Sequence, residues 1–491
     1  MTETEDNKQP KLVKSIVALS VSRYFQFVAR IFTNIISSRV LGPELKGLWG
    51  ALSMVIAISR YYDLGLMAAM RRELPLLYTQ QKMDEAEALR DGVFSVSVVV
   101  SLVVAATLLC YVLALGEGLD QHLRLGLVAV SGILLFHRVA LYSSDFFSAN
   151  RRFVELSAIR MVEVAVASLF IVVLVYPLSI YGVFIAELIS WGVFALYGLR
   201  KIAPRFSFRI GRARLFELIK VGLPLSLLAL GYTAFTMVDR FVILGMLDLT
   251  SMGLYSIAML ALAVVQVVPD SVKGAIQPEI LRSYARHDQR AELLRPFALL
   301  PVYLVAVLMA ILVGCGYFVL PHFIHFVLPE FSAGVLPAQI LLLGSAVRGL
   351  ALVPQQVLVA TKRFAPLMRV VVASIAINTA LNIFSVQQGW GLVGIAISTS
   401  VTYFLYALAI NKLVMIDIFH YRIGDFLRHV VKAMSPIFYV FLFLLAAELY
   451  NAQQSLAIDA VALLLLLVYM LPLYRYALNA RTQLGALREA G

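Results

Sequence analysis

The chain has 491 residues, 61% of them hydrophobic and only 14% charged, with a net charge of +12. A soluble chain of this length carries roughly a quarter charged residues over several domains, so a soluble enzyme or binding module is excluded. A charge of +12 would suit a nucleic acid, but its distribution along the chain argues against one, as follows.

Apolar runs of 18 to 25 residues recur from end to end. Each is long enough to cross a hydrocarbon core about 30 Å thick as a helix. About fourteen such spans are legible, the first centred near residue 25 and the last near 464. The even-numbered breaks carry the bases, among them Arg71, Arg72, Arg151, Arg152, Arg200, Lys201, Lys362 and Arg363, whereas the odd-numbered breaks hold few, Arg39 and Lys46 in the first among them. That asymmetry orients a polytopic membrane protein with both termini in the cytoplasm. The acidic start (Glu3, Glu5, Asp6) lacks the basic region of a cleaved signal peptide. Cys110 and Cys315 lie inside apolar runs and read as small hydrophobes.

The first span, 12–37, is the least hydrophobic. Arg23, Gln26, Arg30 and Asn34 are spaced by three, four and four, and so fall on one stripe of a helix. An arginine facing lipid at the bilayer centre costs about 2.5 to 3.5 kcal/mol, so this stripe must face protein or a wet cavity. The second span carries Arg60 and Asp63, three apart; the fourth carries His137, Arg138 and Asp145. In the fifth, Arg160 and Glu163 are again at i, i+3, and the sixth holds Glu187 beside Trp191. The two i, i+3 pairs read best as structural ion pairs. Arg23 and Arg30, with no acid in their own helix, read as cavity residues.

Residues 38–75 are then replayed. Arg39 answers to Arg240, Gly42 to Gly245, Gly47-Leu48-Trp49 to Gly253-Leu254-Tyr255, and Pro75 to Pro278, at offsets of 201 to 206. Asn150-Arg151-Arg152-Phe153 answers to Thr361-Lys362-Arg363-Phe364, and Gly182 to Gly394. Each copy holds six spans, an even number, so the copies are parallel. The expected organisation is a tail (1–11), an N-lobe (12–214), a C-lobe (215–412), two further spans (413–475) and a second tail (476–491). The cavity belongs between the copies. The second copy is poorer in charge, offering Arg348 and the pair Asn378 and Asn382. Pro224, Pro269, Pro301 and Pro354, with Gly222, Gly231 and Gly316, are candidate bends.

Catalytic signatures are missing. No GxxxxGK[ST] loop occurs, and no soluble stretch is long enough for a nucleotide-binding domain. His322 and His325 near Glu330 read as interfacial histidines rather than metal ligands. No enzyme activity, metal or cofactor is expected.

The motifs LGPELKGLW (41–49), DLGL (63–66) followed by RRE (71–73), NRRF (150–153), GLYSIA (253–258) and PEIL (278–281) resemble the polysaccharide transporter branch of the multidrug/oligosaccharidyl-lipid/polysaccharide (MOP) exporter superfamily, the branch of O-antigen-type flippases. The resemblance implies two six-helix lobes around a central cavity, alternating access, and an oligosaccharide on undecaprenyl diphosphate as substrate, moved outward across a bacterial inner membrane for surface polysaccharide assembly. A polymerase and a chain-length regulator are the expected partners besides substrate and lipid.

A diphosphate cannot cross hydrocarbon unless fixed positive groups replace its water, and the planar fork of arginine suits its oxygens. The expected substrate set is therefore Arg23, Gln26, Arg30, Asn34, Arg60, Arg138, Arg348, Asn378 and Asn382, with Asp63, His137, Glu163 and Glu187 as candidate coupling sites. A lipid-linked peptidoglycan precursor flippase and a cation-coupled drug exporter of the same superfamily are the competing readings. A membrane polymerase or acyltransferase is disfavoured by short outer loops.

Overall fold

The computed structural model describes residues 8–115, 118–286 and 290–450, and beyond these 461, 464–466 and 468. The expected fourteenth span and second tail lie almost wholly outside the described residues. The first tail is already helical from Lys8 on.

Among the described residues the chain is all helix, with no strand. In order the helices are α1 (Lys8–Ser59), α2 (Leu66–Thr79), α3 (Met83–Leu115), α4 (Gln121–Ala149), α5 (Phe153–Leu178), α6 (Ile180–Ile202) and α7 (Arg212–Phe235). Then come α8 (Val238–Met246), α9 (Leu249–Arg286), α10 (Arg295–Val327), α11 (Val335–Ala360), α12 (Phe364–Gln387), α13 (Gly391–Met415) and α14 (Ile423–Tyr450). Among the described residues, twelve helices are long and apolar enough to cross a membrane. The chain is an all-α polytopic membrane protein.

The first of the twelve holds two spans. A straight helix of 52 residues would run about 78 Å, more than twice the hydrocarbon thickness. It turns instead at Gly42, whose φ of 67° and ψ of 177° leave the helical region. Glycine adopts a positive φ without a Cβ clash, and Pro43 restarts the helix where its missing N–H costs nothing.

The second span is broken as well, which hydropathy alone does not show. Residues 60–65 form turns between α1 and α2, with Leu64 at φ 52° and Gly65 at φ 89°. A break at membrane depth must find partners for its freed backbone groups. Arg138 of α4 donates to the Ser59 carbonyl at the end of α1. The Asp63 carboxylate accepts from Met67 N at 2.7 Å, capping the start of α2. The corresponding helix of the second copy, α9, runs through Pro269 without interruption. The copies therefore share helix order but not helix breaks.

By compactness the chain divides into residues 1–233 and 234–491. The repeat pattern puts the boundary at 214/215, in the first turn of α7; the compact first unit takes in nearly all of α7. Packing explains the difference. The α1–α2 break presses on α7 so closely that a Cβ on Gly222 would lie 2.0 Å from the Gly65 carbonyl oxygen. Gly222 thus serves a backbone crossing rather than a bend. Gly222→Ala is expected to lower the thermal midpoint of the detergent-solubilised protein by several degrees, because the clash is with backbone and cannot relax by a rotamer change; an unchanged midpoint would contradict the crossing.

The first unit's core gathers Leu66, Met70 and Leu74 of α2 with Val93 of α3 and Tyr142 and Phe147 of α4. In the second unit, Val302, Ala306 and Met309 of α10 pack with Leu342 and Ala346 of α11. Ala433, Ile437 and Val440 of α14 join that core, so the span following the second copy is built into its unit. Leu466, from the region of the fourteenth span, is buried in the same cluster.

Candidate functional site

The polar stripe of α1 faces α5 and the segment beyond the Gly42 kink. Gln26 donates to Ser22 Oγ at 2.9 Å, and Ser22 in turn donates to the Ser157 carbonyl of α5 at 3.1 Å. One turn on, Arg30 Nη2 stands 3.6 Å from Glu163 Oε1 of α5. Asn34 donates to the Arg30 carbonyl at 3.0 Å. Its Oδ1 accepts from Lys46 Nζ at 2.9 Å, and the same ammonium donates to Ser37 Oγ at 2.9 Å. Lys46 is only 5% exposed.

These groups line an open pocket of about 290 Å³ within the first unit. Arg30, Asn34 and Lys46 come from α1, His137 from α4, Glu163 from α5 and Glu187 from α6. Trp49 and Trp191 supply aromatic wall. Trp191 donates to Glu187 Oε2 at 2.9 Å and meets His137 edge-on at 4.6 Å between ring centroids. His137 Nδ1 lies 3.2 Å from Ser59 Oγ, which ties the pocket to the helix break. A smaller pocket of about 90 Å³ is lined by the break itself, through Arg60 and Asp63, together with Arg71 and Asp145; Arg71 donates to Asp145 Oδ1 at 3.1 Å.

Five of the expected residues thus meet in one pocket: Arg30, Asn34, His137, Glu163 and Glu187. Arg60 and Asp63 line the second. Arg23 is exposed, two turns before Arg30 on α1. Arg138, 2% exposed, lines neither pocket; its guanidinium holds the end of α1. Arg348, Asn378 and Asn382 belong to the second unit. There Arg348 covers the Tyr403 ring at 4.8 Å, and the two asparagines are fully buried, Asn378 accepting from Thr399 at 3.3 Å.

The expected i, i+3 ion pairs are not formed. Arg160 donates to Ser144 Oγ of α4 at 2.7 Å, and Glu163 turns to Arg30 instead. Asp63 caps α2 rather than pairing with Arg60. Shared facing on a helix brings two side chains near; packing against neighbours decides which partner each takes. Lys46 is the residue that sequence reading leaves in a short outer break. The kink folds it back along α1, and a basic residue in one of the base-poor odd-numbered breaks was the available signal.

Residues 36–299, more than half of the chain, match the family described as polysaccharide biosynthesis protein. The chain belongs to that family. Its fold is that of the MOP superfamily. A lipid II flippase MurJ in an inward closed conformation superposes with a TM-score of 0.68 at 14% identity, over 94% of this chain and 100% of that one. An inward-facing multidrug-resistance MATE transporter gives 0.66 at 13% identity, over 86% and 98%. A MOP-superfamily transporter from Pyrococcus furiosus gives 0.60 at 13%, over 82% and 95%. No protein of curated function matches the chain by sequence.

Proposed function

We propose that this chain is a flippase for an oligosaccharide carried on undecaprenyl diphosphate, moving it from the cytoplasmic to the outer leaflet of a bacterial inner membrane for surface polysaccharide assembly. The family and the fold support transport of a glycan precursor. The observation that carries the substrate class is the concentration of arginines in the first unit: Arg23 of α1 and Arg60 at the helix break both lie within electrostatic reach of Arg160. Cations gathered at membrane depth are expensive and are retained where they serve an anion.

In this reading Arg23 and Arg60 hold the diphosphate, with Arg160 behind them, and Gln26 offers a neutral hydrogen bond. Arg30 is held in reserve by Glu163. A carboxylate that occupies a substrate-binding guanidinium competes with the incoming phosphate, and its return helps expel the cargo. Protonation of Glu163 or Glu187 would release that competition, which makes these two acids the coupling candidates. Asp63 and Arg138 are positioning residues at the break. The two copies would rock in alternating access, and a polymerase with its chain-length regulator would consume the product.

The testing experiment is sidedness. In cells lacking this gene and the downstream polymerase, the lipid-linked oligosaccharide is expected to be inaccessible to a membrane-impermeant glycosidase added to spheroplasts, and to become accessible when the gene is restored. Oligosaccharide that reaches the outer leaflet without the gene would sink the proposal; accumulated peptidoglycan precursor would move it to that substrate. A second prediction concerns Glu163. The Arg30–Glu163 pair is half exposed and worth about 1 kcal/mol, so Glu163→Gln should tighten farnesyl diphosphate binding about fivefold while slowing transport. Unchanged binding would show that the pair does not compete with substrate.

A further inference from the structure

Charge accounting across the larger pocket singles out one group. Arg30 has Glu163 at 3.6 Å, and Glu187 is also within its electrostatic reach. Lys46 is more deeply buried than Arg30, yet its hydrogen bonds go to Asn34 Oδ1 and Ser37 Oγ, both neutral. Among the described residues no carboxylate pairs with it. A buried ammonium without a counter-charge is costly, and two neutral oxygens satisfy two of its three donors. Snorkelling to an aqueous surface does not account for it, since it is buried. What remains is a negative group that arrives in the pocket.

We infer that Lys46 is the centre of a glycan subsite for an acidic sugar, one that carries a carboxylate or a phosphate. This rests on the flippase reading above and names the class of its cargo. Lys46 is bonded to Asn34 and Ser37, eleven and fourteen residues beyond Arg23, which places it about 16 to 21 Å along α1 from that arginine. While Glu163 holds Arg30 and the diphosphate sits at Arg23 and Arg60, the diphosphate cannot reach so far. The anion that meets Lys46 in that state is therefore borne by the saccharide, beyond the first sugar.

The surroundings suit a sugar ring. Trp49 follows Lys46 by three residues, one turn along the same helical face, and lines the same pocket. Its indole offers an apolar face with a polar tip. Asn34, Ser37 and Ser53 provide neutral hydrogen-bonding groups on the pocket wall. Lys46 is anchored by side chains on the far side of the Gly42 kink, so the ammonium is already fixed before cargo arrives.

The test uses the purified full-length protein and three probes: farnesyl diphosphate, farnesyl diphosphate bearing a glucose–glucose disaccharide, and the same lipid bearing a glucose–glucuronate disaccharide. Binding is read by titration calorimetry in wild type, Lys46→Met, Lys46→Gln and Lys46→Arg. In wild type the glucuronate probe should bind about tenfold tighter than its neutral counterpart, the scale of one charge-assisted contact. The Met and Gln variants should lose that advantage, Arg should keep it, and farnesyl diphosphate should bind all four alike. Thermal midpoints of the Met and Gln variants at or above wild type would certify folding, as expected when an unpaired buried charge is removed.

Equal binding of the two disaccharide probes by wild type, or an advantage that survives Lys46→Met, would overturn the acidic-sugar subsite and leave the flippase reading intact. Weakened farnesyl diphosphate binding in the Met and Gln variants would overturn it by making Lys46 a diphosphate ligand. Failure of wild type to bind any of the three would overturn it together with the flippase reading.

Discussion

The double replacement Arg23→Ala, Arg60→Ala is expected to reduce transport of the lipid-linked oligosaccharide by more than about a hundredfold, the effect of losing two charge-assisted phosphate contacts worth about 1.5 to 3 kcal/mol each. Each single Ala variant should cost about tenfold or more on the same basis. The Lys variants decide the geometry. Lysine keeps the charge but not the planar fork, so Arg23→Lys and Arg60→Lys should recover only part of the activity. Full recovery in both would mean that the site supplies charge without bidentate recognition. The measurement is glycosidase accessibility in spheroplasts, normalised to the amount of folded protein in the membrane. That normalisation matters little for Arg23 and Arg60, because both are exposed and neither holds the fold together.

The contrast with Arg138 explains how far the sequence could be read. All four arginines of the first four spans stand in apolar runs, and composition treats them alike. Only packing separates them: Arg30 meets a carboxylate on α5, Arg138 is sealed beneath a helix break, and Arg23 and Arg60 stay open. The membrane class and helix order were legible because they depend on run length and hydropathy. The polar stripe on α1 was legible because periodicity is a property of one helix. Partner choice depends on how neighbouring helices are rotated, which no single run records. The break itself had a signal that hydropathy masked. Asp63-Leu64-Gly65 before Leu66 is a helix start, a capping acid followed by a residue free to take positive φ, set inside an apolar stretch.

The compact unit was the other point at which sequence and structure measure different things. Duplication assigns α7 to the second copy, since Arg240 and Gly245 after it replay Arg39 and Gly42. Packing holds α7 to the first unit through Gly222, where two backbones nearly touch. Tyr61 of the break adds a 2.7 Å hydrogen bond to Thr233, at the end of α7. Both contacts use the residues of the break, so the break is also what ties α7 to the first unit.

Arg138→Met should therefore cost more stability than any substrate-site change. The variant leaves the Ser59 carbonyl without its donor in a dry interior, a loss of about 1 to 3 kcal/mol. Asp63, still capping α2, loses a nearby positive charge at the same time, and removing one member of a buried charged set costs about 3 to 5 kcal/mol. Thermal unfolding in detergent should show a midpoint lower by many degrees, with farnesyl diphosphate affinity preserved in whatever fraction remains folded. Arg138→Lys should fall between, because an ammonium can reach one carbonyl but lacks the second arm that Arg138 extends to Met67. A stable Arg138→Met protein with weakened diphosphate binding would reverse the assignment: Arg138 would then be a ligand, and the end of α1 would need another partner. The two results cannot be confused, since one moves stability at constant affinity and the other moves affinity at constant stability. What the helix break demands of Arg138 is a donor to a carbonyl, and that demand exists before any substrate arrives.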